Sequence, residues 1–492
     1  MKTKKLPIIL ILLCFTALLA IAQTLDEFEQ WKKQEQEQFQ QFKDERDKAF
    51  TEFLKKQWRE MQLMQGLVPD EKPKPVKAPV YTPPSDTPKE PIPDDSKIIK
   101  KIPIPKPPPE VQPELKKPVP DAWEKGKTLN FTFFDAPLTV HYDETLKAPF
   151  GNEINKETIS AFWEALSRSN YDGFITQAQY YRKQMKLNDW GYCLLLHKIG
   201  ENIYQGDQNS SYMFVWFMLS KSGYMAKIGY YQDKVYLLLP SANTLYGASY
   251  FTYGDDSNRF YAVSLDKSKQ VVKTLYTYDG TYPGADKLID LTVDSSPNIR
   301  NVVVSKRLTF NYKDKDYVLP VKFNKNAVDF FEDYPQTNLE VYFDAPLSPE
   351  ASLSLLTELR PLIEGKSEVE AVNILLRFVQ TAFSYEVDQE QFGREKVLFP
   401  EESLFYNYSD CEDRSVLFAY LVRKLVGLEV IGLDFPGHIA TGVRFNTDVT
   451  GDYVMYQNQK YIICDPTYIN ANIGMCMPQF KNASLSVIRI NR

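Results

Sequence analysis

Prolines divide this chain into a part that can bury a core and a part that cannot. Seventeen of the 32 prolines fall between Pro69 and Pro120, where they are mixed with Lys, Asp and Glu. A segment of this composition is expected to be extended and semi-rigid. Residues 67–122 are therefore predicted to be a disordered linker that holds the N-terminal part away from the folded part.

The first residues have the pattern of a secretory signal peptide. Lys2, Lys4 and Lys5 form a basic start, the run 6–19 is apolar, and Ala20-Ile21-Ala22 offers a small-x-small cleavage site. The apolar run is too short for a membrane span. Residues 1–22 are predicted to be removed, leaving a secreted or periplasmic protein without a transmembrane segment.

An 11-residue repeat follows in residues 23–66. Eleven residues make almost three helical turns, so apolar pairs at this spacing form one nearly straight stripe on a helix. The pairs are Phe28 and Trp31, Phe39 and Phe42, Phe50 and Phe53, and Met61 and Met64. The pattern predicts a helix over residues 24–66 that either lies on its own globular domain or binds a second copy or a partner helix.

Charge and cysteine content exclude several classes of protein. The net charge of -6 gives no electrostatic reason to expect nucleic acid as a partner. Four cysteines remain once Cys14 is removed with the signal peptide, too few for a disulfide scaffold. Cys464 and Cys476 are close enough in sequence to pair, which the sequence alone does not decide. No cofactor is predicted.

The rest of the chain mixes helical and strand patterns. Alternating runs such as Arg307–Tyr312 and Leu339–Phe343 predict strands. Helical periodicity predicts helices at 156–167, 192–204, 212–222, 350–363 and 367–383. This mixture indicates an α+β fold.

One cysteine stands at a position suited to chemistry. The stretch "SDCEDRSVLFAYLV" runs from a polar loop into an apolar helix. Ser409 or Asp410 is predicted as the N-cap, and Glu412 or Asp413, three residues on, would complete a capping box. Cys411 therefore lies in the first helical turn, where free N–H groups and the helix dipole favour a thiolate. The acidic neighbours oppose that effect, so the cysteine needs a base.

A histidine and an aspartate follow in order. "EVIGLDFPGHIATGVRF" predicts two strands joined by a turn, with His438 at the start of the second. A second hairpin, residues 452–468, turns at 457–459 and ends on Asp465. The other two histidines, His141 and His197, lie in stretches without a chemical signal. Cys411, His438 and Asp465 can form a relay of nucleophile, base and orienting carboxylate.

These three motifs resemble those of the transglutaminase-like superfamily, which has a papain-like core. The resemblance covers residues 350–480 and rests on "SDCEDRSVLFAYLVRKL", "GHIATGVRF" and "YIICDPTY". It implies that Cys411 is the nucleophile, His438 the base and Asp465 the orienting group. An oxyanion donor could come from the backbone N–H of Cys411 or from the hydroxyl of Tyr406 or Tyr408.

Other interpretations of the same residues stay open. Cys411 could be a core cysteine beside a loop histidine. A zinc site from Cys411, His438, Cys464 and Cys476 would lack closely spaced ligand pairs, and no metal is predicted. A domain of the same fold that binds without catalysing is the strongest competitor, because a fold does not fix a function.

An internal similarity suggests that the fold occurs twice. Residues 210–239 run parallel to the helix and strands after Cys411, offset by about 203 residues, which is the signal that an internal repeat leaves. In this alignment Cys411 falls near 208–210, His438 near Val235 and Asp465 near Ser264, so none of the functional residue types is kept. Residues 123–268 are predicted to be a degenerate copy, 269–345 a β-rich segment and 346–492 the catalytic domain.

The sequence thus predicts an exported thiol enzyme that cleaves or transfers amide bonds through a thioester on Cys411. Water as acceptor makes it a cysteine peptidase or amidase, which is the favoured interpretation. A lysine amine as acceptor makes it a cross-linking transglutaminase. The remaining alternative is a non-catalytic binding or assembly scaffold. The expected substrate is a peptide or protein, with a cell-wall peptide among the candidates.

Overall fold

The protein is described from a computed structural model. The described residues are 6–56, 58–68, 74–83, 99, 126–151, 153–253, 258–266 and 272–491, with side chains from residue 30 onward. The predicted signal peptide, residues 1–22, lies outside the residues whose side chains are described. Most of the predicted linker also lies outside the described residues.

Helices and strands come largely in separate runs along the chain, which is an α+β arrangement, as predicted. The helices are α1 (Leu6–Leu54), α2 (Lys156–Ser167), α3 (Tyr171–Gln184), α4 (Asp189–Ile203), α5 (Gln208–Lys221), α6 (Lys325–Glu332), α7 (Leu339–Asp344), α8 (Pro349–Ile363), α9 (Glu368–Thr381), α10 (Asp388–Phe392), α11 (Pro400–Phe405) and α12 (Cys411–Leu421). The strands are β1 (Trp58–Gln62), β2 (Lys127–Phe133), β3 (Ala136–Tyr142), β4 (Lys227–Tyr231), β5 (Lys234–Pro240), β6 (Tyr250–Thr252), β7 (Arg259–Val263), β8 (Thr274–Tyr278), β9 (Val303–Tyr312), β10 (Lys315–Asn324), β11 (Ser384–Tyr385), β12 (Tyr408–Ser409), β13 (Glu429–Phe435), β14 (His438–Arg444), β15 (Tyr453–Tyr456), β16 (Gln459–Cys464) and β17 (Ser486–Ile488).

Two antiparallel sheets share one strand order. The second sheet runs β15-β16-β14-β13-β17, behind the buried helix α12. The first runs β6-β7-β5-β4-β8, behind the buried helix α5, and adds β1 outside β8. The common order supports the predicted duplication, although descent from one ancestor stays a prediction. Because β8 completes the first sheet, that sheet extends past residue 268.

The predicted helices are found within a few residues of their expected ends, and one predicted strand is wrong. Residues 339–343 form helix α7 rather than a strand. Val341, Tyr342 and Phe343 are consecutive and all buried. Five residues of alternating hydrophobicity do not distinguish a strand from one turn of a helix buried on several sides.

The N-terminal helix is the exception among the predicted helices, because it ends well before residue 66, the end that its repeat predicts. It ends at Leu54, and Met61 lies in β1, which pairs with β8. The main-chain N–H and C=O groups of β8 at the edge of the first sheet need partners, and residues 58–62 supply them by pairing as a strand. These residues therefore form a strand although their apolar spacing is helical. The end of the helix packs on the first sheet's domain through Phe50 and Leu54, so the first of the two interpretations holds for this part. Among the described residues, no helix has the length and apolarity to cross a bilayer.

The predicted spacer does not hold the N-terminal part away from the fold. Residues 74–83, which we call the strap, lie on the C-terminal domain. The strap pairs with it at Val80 and Ile469, where the Ile469 N–H donates to the Pro79 carbonyl (2.9 Å) and the Tyr81 N–H donates to the Ile469 carbonyl (2.8 Å). Ile99 likewise exchanges main-chain hydrogen bonds with residues 365 and 366. A proline-rich chain cannot make its own core, but it can dock in extended form on one that exists.

Candidate functional site

Cys411 is the first residue of α12, as predicted. Asp410 caps the helix, and Asp413 reaches back so that its carboxylate accepts from the Asp410 N–H (3.2 Å). Every residue of α12 is buried, which fixes the helix against α9 and β14. The sequence therefore places a thiol at a buried helix start rather than on a surface.

His438 and Asp465 are brought together by neighbouring strands. His438 begins β14, Asp465 follows β16, and their Nε2 and Oδ2 atoms are 2.9 Å apart. The other oxygen of Asp465 accepts from the N–H groups of Thr467 (2.9 Å) and Tyr468 (3.1 Å). The Phe480 ring stacks parallel to the imidazole at 5.1 Å between centroids. The carboxylate and the imidazole are thus both held in one orientation.

The helix that carries Cys411 packs against the strand that carries His438. Ser415, one turn beyond Cys411, donates its hydroxyl to the Ile439 carbonyl (3.1 Å). The elements that carry Cys411 and His438 are thus packed against each other. The Nδ1 atom of His438 is buried and has no hydrogen-bond partner among the described residues.

The Cys411 thiol is buried and hydrogen-bonded to a carboxylate. Cys411 is fully buried and donates through Sγ to Oε2 of Glu412 (3.0 Å). Burial, together with the negative charges of Glu412 and Asp410, raises the pKa of the Cys411 thiol well above its usual value. These effects outweigh the helix dipole, so the thiol is protonated and directed to Glu412.

Acidic residues surround the start of α12. Burial, the charge of Glu412 and the other carboxylates nearby raise the pKa of Asp410 well above its usual value. Burial raises the pKa of Asp413 to about 7, and burial with the charge of Asp413 raises the pKa of Asp388 to about 8. Burial alone would raise the pKa of Glu412, but the Lys74 ammonium and the thiol hydrogen bond lower it to about 2.

A lysine of the strap enters this acidic cluster. The Lys74 Nζ atom lies 2.7 Å from Glu412, 3.0 Å from Asp410 and 3.8 Å from Asp388. Burial opposes its charge, but the carboxylates of Glu412 and Asp410 outweigh burial and raise the pKa of the Lys74 ammonium. Lys74 therefore supplies the positive charge that the cluster needs.

The role of Tyr406 and Tyr408 as oxyanion donors stays a prediction. Tyr406 packs its ring on Phe392 and Phe405, and Tyr408 is 41% exposed. Sequence reasoning missed Tyr385, whose hydroxyl donates to the Pro75 carbonyl of the strap (2.9 Å). Burial and the nearby charge of Cys411 raise the pKa of Tyr385. Its only sequence signal is a tyrosine after a helix, which is too common to indicate a site.

Arg414 and Gln380 join the two halves of the site. The Arg414 guanidinium is buried and donates to the carbonyls of Gln380 (3.1 Å) and Phe383 (2.8 Å). Gln380 Nε2 in turn donates to the carbonyls of Asp465, Tyr468 and Ala471. Burial lowers the pKa of Arg414 to about 10, which leaves it charged at neutral pH. These contacts connect helix α12 to the loop that bears Asp465.

The described residues contain one cluster with metal-ligand spacing. Carboxylate oxygens of Asp388, Asp410 and Asp413 lie within 4.8 Å of one another. The four residues of the alternative zinc site, Cys411, His438, Cys464 and Cys476, do not form such a group within the described part of the chain. Cys464 and Cys476 are free thiols rather than a disulfide.

A surface cavity on the first domain is separate from this site. It is lined by residues of α3 and α4 and of the loop 290–297, among them Arg182 and Asp189. It contains none of the three predicted relay residues.

Comparison with models of known protein families, with curated proteins and with solved structures gave no match. The resemblance to transglutaminase-like proteins therefore rests on the three motifs alone, and the site must be judged on its geometry.

Proposed function

We propose that this protein is a thiol acyl-transfer enzyme that hydrolyses amide bonds. One observation carries the proposal. The imidazole of His438 is fixed through Nε2 on Asp465, while its buried Nδ1 is left without a partner, on the strand that packs against the helix bearing Cys411. A base oriented by a carboxylate and open on its other nitrogen is what a thiol nucleophile needs.

The chemistry runs through a thioester. Nδ1 of His438 takes the proton of the Cys411 thiol, and the sulfur attacks the amide carbonyl carbon. The C–N bond then breaks, and the amine leaves with the proton that the imidazole held. Water, deprotonated by the same nitrogen, attacks the thioester, and the acid is released as the thiol is restored. Asp465 stabilises the imidazolium formed in both halves.

The transferase alternative replaces water with an amine. The amine that lies in this site is Lys74, and it is held as an ammonium by carboxylates. An ammonium has no lone pair with which to attack a thioester, so Lys74 does not act as the acceptor in this arrangement.

The scaffold alternative is favoured by a different observation. The Cys411 thiol has a raised pKa, is fully buried and is bound to Glu412 instead of His438. A domain without catalytic activity could keep its cysteine in this state permanently.

Alkylation of Cys411 by iodoacetamide, followed by peptide mass spectrometry, tests the proposal. Because the thiol is buried, the rate is measured against pH in full-length protein whose residues 74–83 are replaced by Gly and Ser. If His438 draws the thiol proton, His438→Ala should move the labelling curve to higher pH.

His197→Ala is the matched control, since His197 is also buried and also has one ring nitrogen without a hydrogen-bond partner, in its case Nε2. It should leave the labelling curve in place. A second readout is acylation by p-nitrophenyl acetate, which should give a burst that is lost in Cys411→Ala. Identical labelling curves for the parent and His438→Ala, together with no burst, would make the scaffold the correct interpretation.

A further inference from the structure

The acidic cluster beside Cys411 holds an excess of carboxylates. Asp388 and Asp410 are each 1% exposed, and each has one carboxylate oxygen without a hydrogen-bond partner. Buried unpaired carboxylate oxygens are costly, and a cation is the group that would satisfy them. Lys74, whose side chain is only 13% exposed, supplies a cation to this cluster and contacts the other oxygen, Oδ2, of both aspartates.

The chain that brings Lys74 is bound at several points along its length. Tyr385 holds the Pro75 carbonyl, and the main chain of Pro79 and Tyr81 pairs with Ile469. The Tyr81 ring also packs edge-on against Tyr468. Such pairing through main-chain atoms recognises an extended chain, and side-chain pockets along it add selectivity.

The path of the strap crosses the proposed catalytic site. At one end it contacts Asp410 and Glu412, the neighbours of Cys411 on either side. At the other end it contacts Tyr468 and Ile469, which follow Asp465 closely. An extended chain on this path runs from the residues that flank Cys411 to the residues that follow Asp465, and under the proposed function a polypeptide substrate would follow the same path.

We propose that Asp388, Asp410 and Glu412 form a pocket for a lysine side chain of an extended polypeptide, and that the strap occupies this substrate site in cis. The ligand class is a proline-containing extended segment with a lysine at the position of Lys74. The term substrate rests on the proposed function, whereas the binding does not. Occupation in cis also accounts for the burial of Cys411.

Lysine suits the pocket because its ammonium is a compact point charge. Nζ reaches four separate carboxylates, those of Asp388, Asp410 and Glu412 and the half-exposed one of Glu395 at 2.9 Å, rather than one in a paired, planar arrangement. Arginine is suited to bidentate contact with a single carboxylate. The pocket should therefore prefer lysine.

Peptide binding provides the first test. The receptor is the full-length chain with Lys74→Ala and Cys411→Ala, which releases the strap and prevents chemistry. The probes are fluorescent peptides with the sequence of residues 73–83, PKPVKAPVYTP, in the native form or with norleucine for either lysine. Norleucine at position 74 should weaken binding by about tenfold, equivalent to about 1.4 kcal/mol.

Position 77 is the internal control for charge, because Lys77 is exposed. Norleucine there should change the dissociation constant by less than about threefold, as expected for an exposed charge. Equal losses at positions 74 and 77, or no binding by the native peptide, would overturn the proposal.

Release of the strap provides the second test. Lys74→Ala should increase the rate of iodoacetamide labelling of Cys411 by about tenfold or more, since breaking a buried ion pair favours opening. Lys77→Ala should leave the rate unchanged. Tyr81→Ala loosens the other end without disturbing the carboxylates, so it tests the same opening if Lys74→Ala fails to fold. Unchanged labelling in Tyr81→Ala and in a folded Lys74→Ala would refute occupation in cis.

The two proposals fail in different ways. Lysine-selective peptide binding without any acylation of Cys411 would keep the pocket and exclude the enzyme. Acylation dependent on His438 without lysine selectivity would keep the enzyme and exclude the pocket.

Discussion

Asp465→Asn should change which nitrogen of His438 carries the proton. In the folded protein Oδ1 of Asp465 accepts two backbone N–H groups, and Oδ2 faces Nε2 of His438 at 2.9 Å. Nε2 must therefore be protonated, which leaves the Nδ1 lone pair free for the thiol. An asparagine must keep its oxygen on the two N–H groups, because its NH2 group would meet both of them donor to donor. The NH2 group then faces Nε2 and requires a lone pair there, so the proton moves to Nδ1.

The size of the change follows from the hydrogen bond that is lost. A hydrogen bond to a charged group contributes about 1.5–3 kcal/mol. At 1.36 kcal/mol for each factor of ten, the ratio of the two tautomers should shift by about 10- to 150-fold. Nδ1–H cannot accept a proton from Cys411. In the protein whose residues 74–83 are replaced by Gly and Ser, Asp465→Asn should therefore slow alkylation of Cys411 at neutral pH.

Nitrogen NMR with selectively labelled histidine measures this tautomer ratio at alkaline pH, where an ordinary imidazole is neutral. The chain has three histidines, so the spectrum is simple to assign. His141 and His197 serve as internal controls and should not move. A wild-type His438 already protonated on Nδ1, or a tautomer ratio unaffected by Asp465→Asn, would refute the proposed orientation of the base.

Three further predictions concern stability and assembly. Lys396→Met leaves the buried Glu402 without its partner at 2.6 Å, and it should lower the free energy of unfolding by about 3–5 kcal/mol in urea titrations. The double variant with Glu402→Gln should recover stability, because it removes the unpaired charge. A loss below about 1 kcal/mol in Lys396→Met would contradict the prediction. Burial and the charge of Asp413 raise the pKa of Asp388 to about 8, above its unfolded value of about 3.9. The folded state therefore keeps a proton that the unfolded state loses, and the free energy of unfolding falls as the pH rises from about 4 to about 8. Asp388→Asn should flatten that fall in urea midpoints measured against pH, and parallel curves would exclude the effect. If the exposed rings of Phe39 and Phe42 mediate self-association, changing both to Ser should lower the mass in light scattering, whereas an unchanged mass would show that they do not.

The contact between His438 and Asp465 could be predicted because both residues lie next to strong local signals. The turn before His438 contains Pro436 and Gly437, and Gly437 has a left-handed φ of 73°. In the next hairpin Gln457 and Asn458 also have positive φ, which suits a two-residue turn between antiparallel strands. The turn residues and the alternation of apolar and polar residues thus predict the strands of both hairpins. Because β14 pairs with β16, His438 and Asp465 lie next to each other.

The acidic pocket could not be predicted in the same way. Lys74 and Asp410 are 336 residues apart, and Asp388 lies in a five-residue helix. An extended proline-rich segment has no periodicity that indicates where it docks. Its composition only shows that it lacks a core of its own, and a docking site depends on the surface of the partner domain.

At the positions that the shared topology assigns to the predicted relay, the first domain has other residue types. The first residue of α5 is Gln208, the first residue of β5 is Lys234, and the residue after β7 is Ser264. These positions correspond to Cys411, His438 and Asp465 in the second domain, one residue away from the predicted match at Val235.

An amide, an ammonium and a hydroxyl cannot form a nucleophile–base relay. The first domain instead binds the N-terminal chain, through β1 on its sheet and Phe50 in its core. The same N-terminal chain continues to the strap on the second domain. The described parts of the N-terminal chain therefore contact both domains, and they place Lys74 of the strap beside Asp410 and Glu412, the two neighbours of Cys411.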